Sequence, residues 1–205
     1  MNSTILFEPD QLSKPLNWAD LFGRPGPVEV EVGSGKGRFL LGRAMEHPEV
    51  NFVGLEYARA YLRTLAERAE RLRLANVRAA REEAARFFRE FVPESSVSAF
   101  HLLYPDPWPK KRHHKRRLIR PDFLVDLRRA LVPGALLNLA TDHRGYFDWM
   151  LEQLAGFGES FEIEPRAIEG PEELATLVGR TNYEIKYAAA GRPLYFITGR
   201  RKGAA

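Results

Sequence analysis

Alternation of apolar and charged residues marks the first regular element. Val28-Glu29-Val30-Glu31-Val32 carries the two-residue period of a strand. It runs into Gly33-Ser34-Gly35-Lys36-Gly37 and then into a helix-forming stretch from Arg38 to Met45. A second strand pattern covers 51–55 and ends at Glu56. Leu62, Leu65, Ala66, Ala69 and Leu72 then recur at helical spacing, which predicts an amphipathic helix over 58–73. A short third strand at 77–80 and a helix at 82–91 follow, and 97–103 reads as a buried fourth strand. A helix over 123–131, stopped by Pro133-Gly134, leads to a fifth strand at 135–140 and a helix over 146–154. The late strands, 161–163 and 194–198, read as antiparallel additions at one sheet edge. Residues 1–27, broken by Pro9, Pro15, Pro25 and Pro27, read as an irregular segment.

Strands that alternate with helices predict an α/β fold. The expected architecture is a doubly wound, mostly parallel seven-stranded sheet with helices on both faces, in a single domain of 205 residues. In such sheets ligands bind beyond the carboxyl ends of the strands. Gly33 to Gly37, Glu56, Glu83, Asp106 and Asp142 all fall at or just after those ends.

Charge sharpens this picture. Net charge is only +4, but it is uneven. Between Lys110 and Arg120 seven residues are Lys or Arg and none is acidic. This block adjoins Tyr104-Pro105-Asp106-Pro107-Trp108-Pro109, where three prolines fix φ and press each preceding residue toward extended geometry. A held carboxylate beside a dense basic run points to chemistry on a nucleic acid. The adjacent pair His113-His114 belongs to that basic block, because no spaced carboxylate or thiolate completes a metal site. No apolar run reaches the ~18 residues of a membrane span. The start of the chain lacks the pattern of a secretory signal, so the cytoplasm is expected. The chain has no cysteine, which excludes disulfides and thiol nucleophiles.

The glycine loop follows a strand and opens a helix, and Glu56 lies 23 residues beyond Gly33, where a carboxylate can hold ribose hydroxyls. The loop has G-x-G-x-G spacing, with Arg38 where a dinucleotide site has its third glycine, and the P-loop pattern is missing. Glu31 beside the loop would repel a pyrophosphate and suits a ligand with a positive charge. S-adenosylmethionine, which has an adenosine, a sulfonium and an amino group but no phosphate, fits better than NAD.

These motifs resemble the bacterial tRNA (guanine-N7-)-methyltransferases over roughly Val28 to Arg200. The run from Pro105 to Arg117 carries the resemblance, together with Thr141-Asp142-His143 and Thr181-Asn182-Tyr183-Glu184. The resemblance implies a class I methyltransferase with a Rossmann-like sheet, using S-adenosylmethionine to methylate a guanine in the tRNA variable loop. It implies cofactor contacts at Glu31, Gly33, Gly35, Glu56, Glu83 and Asp106, and substrate contacts at Lys110, Asp142, Thr181, Asn182, Tyr183 and Glu184. Glu83-Ala84 stands where the family commonly has aspartate before alanine, and Glu82 is its neighbouring candidate. Lys111, Arg112, Lys115, Arg116 and Arg117 are expected on the RNA backbone. Guanine N7 has a lone pair and no proton to remove, so Asp106 is assigned to positioning. Trp108, Tyr146 or Tyr183 could stack on an extruded base, with core packing favoured for Tyr146 and Trp149. The alternative from another class is a non-catalytic RNA-binding protein on the same fold. Cofactor binding separates the two.

Overall fold

The computed structural model describes residues 4–175 and 181–203. Seven strands form one sheet: β1 (Val28–Val32), β2 (Asn51–Leu55), β3 (Val77–Ala80), β4 (Val97–Leu103), β5 (Leu131–Thr141), β6 (Phe161–Ile168) and β7 (Leu194–Arg201). Their spatial order is β3-β2-β1-β4-β5-β7-β6. The first five strands run parallel; β7 pairs antiparallel with both β5 and β6. The crossover helices are α2 (Arg38–Glu46), α3 (Arg59–Arg71), α4 (Ala84–Glu90) and α5 (Pro121–Ala130), preceded by α1 (Trp18–Phe22) and followed by α6 (Arg144–Ala155), α7 (Pro171–Ala175) and α8 (Asn182–Ala189).

Apolar periodicity explains the layers. Val28 and Val30 of β1 face a core with Phe87 and Phe88 of α4, Phe123 and Leu127 of α5 and Tyr146 and Met150 of α6. On the other face Leu40 and Leu41 of α2 and Leu65 and Ala69 of α3 pack on Phe52 and Val77. Beyond α2 on the chain's later half, Leu103, Tyr104, Ala140, Leu194 and Phe196 join Phe39 and Leu174 in a third cluster. Fully burying a side chain of this size is worth roughly 1.5–3 kcal/mol, so these three clusters dominate the stability.

Three local expectations change. The segment 1–27 is not irregular throughout: Asn17 accepts from the amides of Ala19 and Asp20 and caps α1, and Leu6 bridges to Ala79. Pro133-Gly134 does not separate α5 from the strand, because α5 ends at Ala130 and β5 begins at Leu131. The pair instead sits exposed in an irregular stretch, where the β4–β5 register jumps from Val97↔Leu131 to Ala99↔Leu136. Lastly, Tyr104 and Trp108, each before a proline, are not extended but left-handed, with φ of 55° and 44°. The turn after β4 is therefore tighter than the proline pattern alone predicts, and two aromatic side chains pay its conformational cost.

Candidate active site

The sheet order reverses between β1 and β4, so their carboxyl ends flank a crevice. The loop Gly33 to Gly37 leaves β1 on one side, and the turn from Tyr104 to Pro109 leaves β4 on the other. Two cavities open there. The larger, of about 540 Å³, is walled by Gly33, Gly35, Glu56, Tyr57, Glu82, Glu83, Asp106, Trp108, Arg116 and Tyr183, among others. The smaller, of about 220 Å³, shares Gly33, Gly35, Tyr61, Leu103 and Tyr183 with it and adds Glu31, Ser34, Lys36, Thr181 and Asn182.

The glycine loop has a defined shape. Gly35 sits at φ 54° and donates its amide to Glu56 Oε2 at 2.7 Å. Glu56 Oε1 takes the Ala58 amide at 2.8 Å, so the carboxylate is locked across the β1 and β2 loops. At Gly37, φ is 77° and a Cβ would stand 2.8 Å from the Leu65 side chain, so only glycine lets α2 start this close to α3.

Glu31 is the unusual group. It is 4% exposed, and its Oε2 has no hydrogen-bond partner. Burial pushes its carboxyl up to about 8, against a backbone hydrogen bond at Leu40 and with the Glu56 charge adding to the rise. A buried, partnerless carboxyl oxygen on a cavity wall is a place built to receive a cation or a donor.

Beneath it lies a network that the sequence pattern does not reveal. Glu29, on the same strand face, takes Arg43 in a bidentate pair with both contacts at 2.7 Å. His101 Nε2 lies 2.9 Å from Glu29, and its Nδ1 lies 3.2 Å from Asn138 Nδ2. Three strands and α2 are tied together by these side chains. The available signal was a charged residue at an alternate position of a central strand.

Glu82 and Glu83 both reach the larger cavity. Glu83 caps α4 through the amides of Ala85 and Arg86, at 3.0 and 2.8 Å. Glu82 pairs with Arg86 at 2.6 Å. Asp106 is exposed on the cavity wall.

The basic run forms a 3₁₀ helix, Lys111–Arg116. Lys110, Lys111, Arg112 and Lys115 are exposed. Arg116 lies 4.7 Å over the Trp108 ring, and His113 meets the edge of that ring at 5.8 Å. Arg117 departs from expectation. It is 3% exposed, donates from Nε to the Pro107 carbonyl at 3.0 Å, and lies over Tyr146 and Trp149 at 5.0 and 5.2 Å. It fastens the run to α6 instead of facing RNA. Tyr146 and Trp149 are its packing partners, as core packing predicts for both; Tyr146 is 1% exposed.

On the substrate side the structure brings only part of the predicted set together. Thr181, Asn182 and Tyr183 wall the smaller cavity, whereas Lys110, Asp142 and Glu184 are not part of either wall. Glu184 is corrected: its carboxylate accepts from the Thr181 amide at 3.2 Å while its own amide donates to Thr181 Oγ1 at 3.0 Å. That reciprocal box buries Glu184 as the cap of α8 and removes it from the exposed base-reading set. Asp142 pairs with Arg192 at 2.5 Å. Among the described residues no cluster of three or more His, Asp or Glu could hold a metal ion, and no helix is long and apolar enough to cross a membrane.

Comparison with known proteins agrees with this architecture. A family model described as "Putative methyltransferase" matches residues 25–197. The tRNA (guanine-N(7)-)-methyltransferase of Geobacter metallireducens is 35% identical over 96% of this chain and 92% of its own. The protein of the same name from Lactobacillus johnsonii is 39% identical over 93% of this chain and 88% of its own. This chain belongs to the tRNA (guanine-N7-)-methyltransferase family. Among solved structures, the 16S rRNA methyltransferase KamB aligns with a TM-score of 0.66 over 91% of this chain and 93% of its own, at 19% identity. That likeness concerns the fold, which is the methyltransferase form of the doubly wound sheet. Membership of the family directs attention to the crevice between β1 and β4, since the matched region spans both its walls.

Proposed function

We propose that this methyltransferase acts on N7 of a guanine in the tRNA variable loop and that the two joined cavities hold S-adenosylmethionine. The orphaned Glu31 oxygen carries the cofactor reading, because a buried carboxyl with one oxygen left unpartnered fits an amino group and disfavours a phosphate. Glu56, already holding two backbone amides, keeps its remaining lone pairs for ribose hydroxyls. Glu82 and Glu83 flank the adenine end, with Tyr57 exposed beside them. When bound, the cofactor supplies an electrophilic methyl group on a sulfonium.

Guanine N7 brings its own lone pair, so the protein has no proton to abstract from the nucleophile. Its task is orientation and electrostatics. Asp106, held between two prolines on the cavity wall, is the positioning carboxylate at the reacting end. Asp142 accepts from the guanine N1–H and exocyclic amine, which adenine cannot present in that pattern. Lys110 and the exposed face of the 3₁₀ helix hold phosphates.

Incubating the protein with methyl-labelled S-adenosylmethionine and unmodified tRNA, followed by nucleoside analysis, should yield labelled 7-methylguanosine. A different labelled nucleoside in its place would refute the assignment. Absence of both methyl transfer and saturable S-adenosylmethionine binding would favour a non-catalytic RNA-binding role.

A further inference from the structure

Arg192 precedes β7 and reaches the end of β5. Its Nη2 stands 2.5 Å from Asp142 Oδ2, and the Asp142 side chain is only 12% exposed. The guanidinium lies 4.4 Å over the Tyr187 ring. Tyr187 in turn packs on Tyr183 and Tyr104, with ring centroids 5.8 and 6.0 Å away. Tyr104 and Tyr183 are stacked at 6.0 Å, and both wall the larger cavity. A continuous set of contacts thus runs from Arg192 and Asp142 to the crevice.

We propose that Arg192 is a positioning residue for guanine recognition, acting through Asp142. This rests on the reading that Asp142 meets the base. The argument is geometric. A lone aspartate at a loop rotates about χ1 and χ2 and presents its oxygens in many planes. Arg192 occupies one lone pair of Oδ2 and fixes the carboxylate plane; Oδ1 and the second Oδ2 lone pair remain for the two guanine donors. Tyr187 packs against the same guanidinium, so the pair keeps its place without substrate. A planar, doubly anchored cation suits this task better than a lysine.

The test compares R192A, R192K, D142N and the R192A/D142N double variant in steady-state tRNA methylation. The tRNA is gripped elsewhere, by the basic helix. R192A is therefore expected to lower kcat about tenfold with the tRNA KM within about twofold, a transition-state loss of about 1.4 kcal/mol. R192K should recover part of the rate. The double variant should be no slower than D142N, because Arg192 has no separate role once Asp142 is lost. Unchanged affinity for S-adenosylmethionine in all four variants shows that they are folded. An R192A rate at or above wild type, additive losses in the double variant, or a salt-sensitive rise in KM at unchanged kcat would each overturn the proposal. Full activity of D142N would instead remove Asp142 from guanine recognition, a failure of the underlying reading.

Discussion

At the scale of single residues, Glu31 is the group whose chemistry differs most from its appearance in the sequence. A glutamate alternating with valines in a strand reads as half-exposed, yet this one is buried with a free oxygen. Its carboxyl rises from 4.5 to about 8. A group with a raised folded-state value binds its proton more tightly when folded. Stability is therefore full below about 4.5 and falls as pH climbs toward about 8. Each unit of displacement is worth about 1.4 kcal/mol, so the loss across that window is a few kcal/mol at most. Glu31→Gln keeps the shape and removes the ionisation. Its melting temperature should exceed that of the wild type at pH 8–9 and match it near pH 5, while affinity for S-adenosylmethionine falls at least tenfold. A wild-type melting profile parallel to that of the glutamine variant across this range would contradict the assignment.

At the scale of elements, the basic run shows how far the sequence could be read and where it stopped. Charge density identified the run, and Lys110, Lys111, Arg112 and Lys115 are exposed. Nothing in local spacing said that Arg117 turns inward, because its partners, Pro107, Tyr146 and Trp149, come from a turn and from a helix about thirty residues on. The same holds for Glu184, which resembled a base reader and is a helix cap, and for α1, hidden among prolines. The strand segments and the glycine loop were legible because both depend on local period and local turn chemistry. The division within the basic run is testable. Replacing Lys111, Arg112 and Lys115 with Ala should flatten the dependence of log tRNA affinity on log salt by roughly 0.7–0.9 per lost phosphate contact, without altering cofactor affinity. Arg117→Ala should leave that slope in place and lower thermal stability instead. A slope unchanged in the triple variant would mean that these side chains are only solvated.

At the scale of the molecule, the sheet is a functional support because its centre is cross-linked by charge. Glu29 of β1, His101 of β4, Asn138 of β5 and Arg43 of α2 join the strands from which the glycine loop, the Asp106 turn and Asp142 emerge. The relative placement of the three loops depends on this buried network as well as on apolar packing. Burial by itself would raise the Glu29 carboxyl, but hydrogen bonds and charge from His101 and Arg43 outweigh it and hold it at about 2. For a carboxyl lowered in the folded state, the contribution is present above its ordinary value of 4.5 and is lost as pH falls toward about 2. Glu29→Gln leaves the Arg43 charge half-buried and short of its counter-charge, so the variant should be less stable than the wild type at pH 6–7, by about 3 kcal/mol. That deficit should shrink between pH 4.5 and pH 2, where the wild type protonates and converges on the variant. Urea unfolding of both proteins across this range measures the difference directly, and a deficit constant with pH would show that Glu29 acts by shape and not by charge.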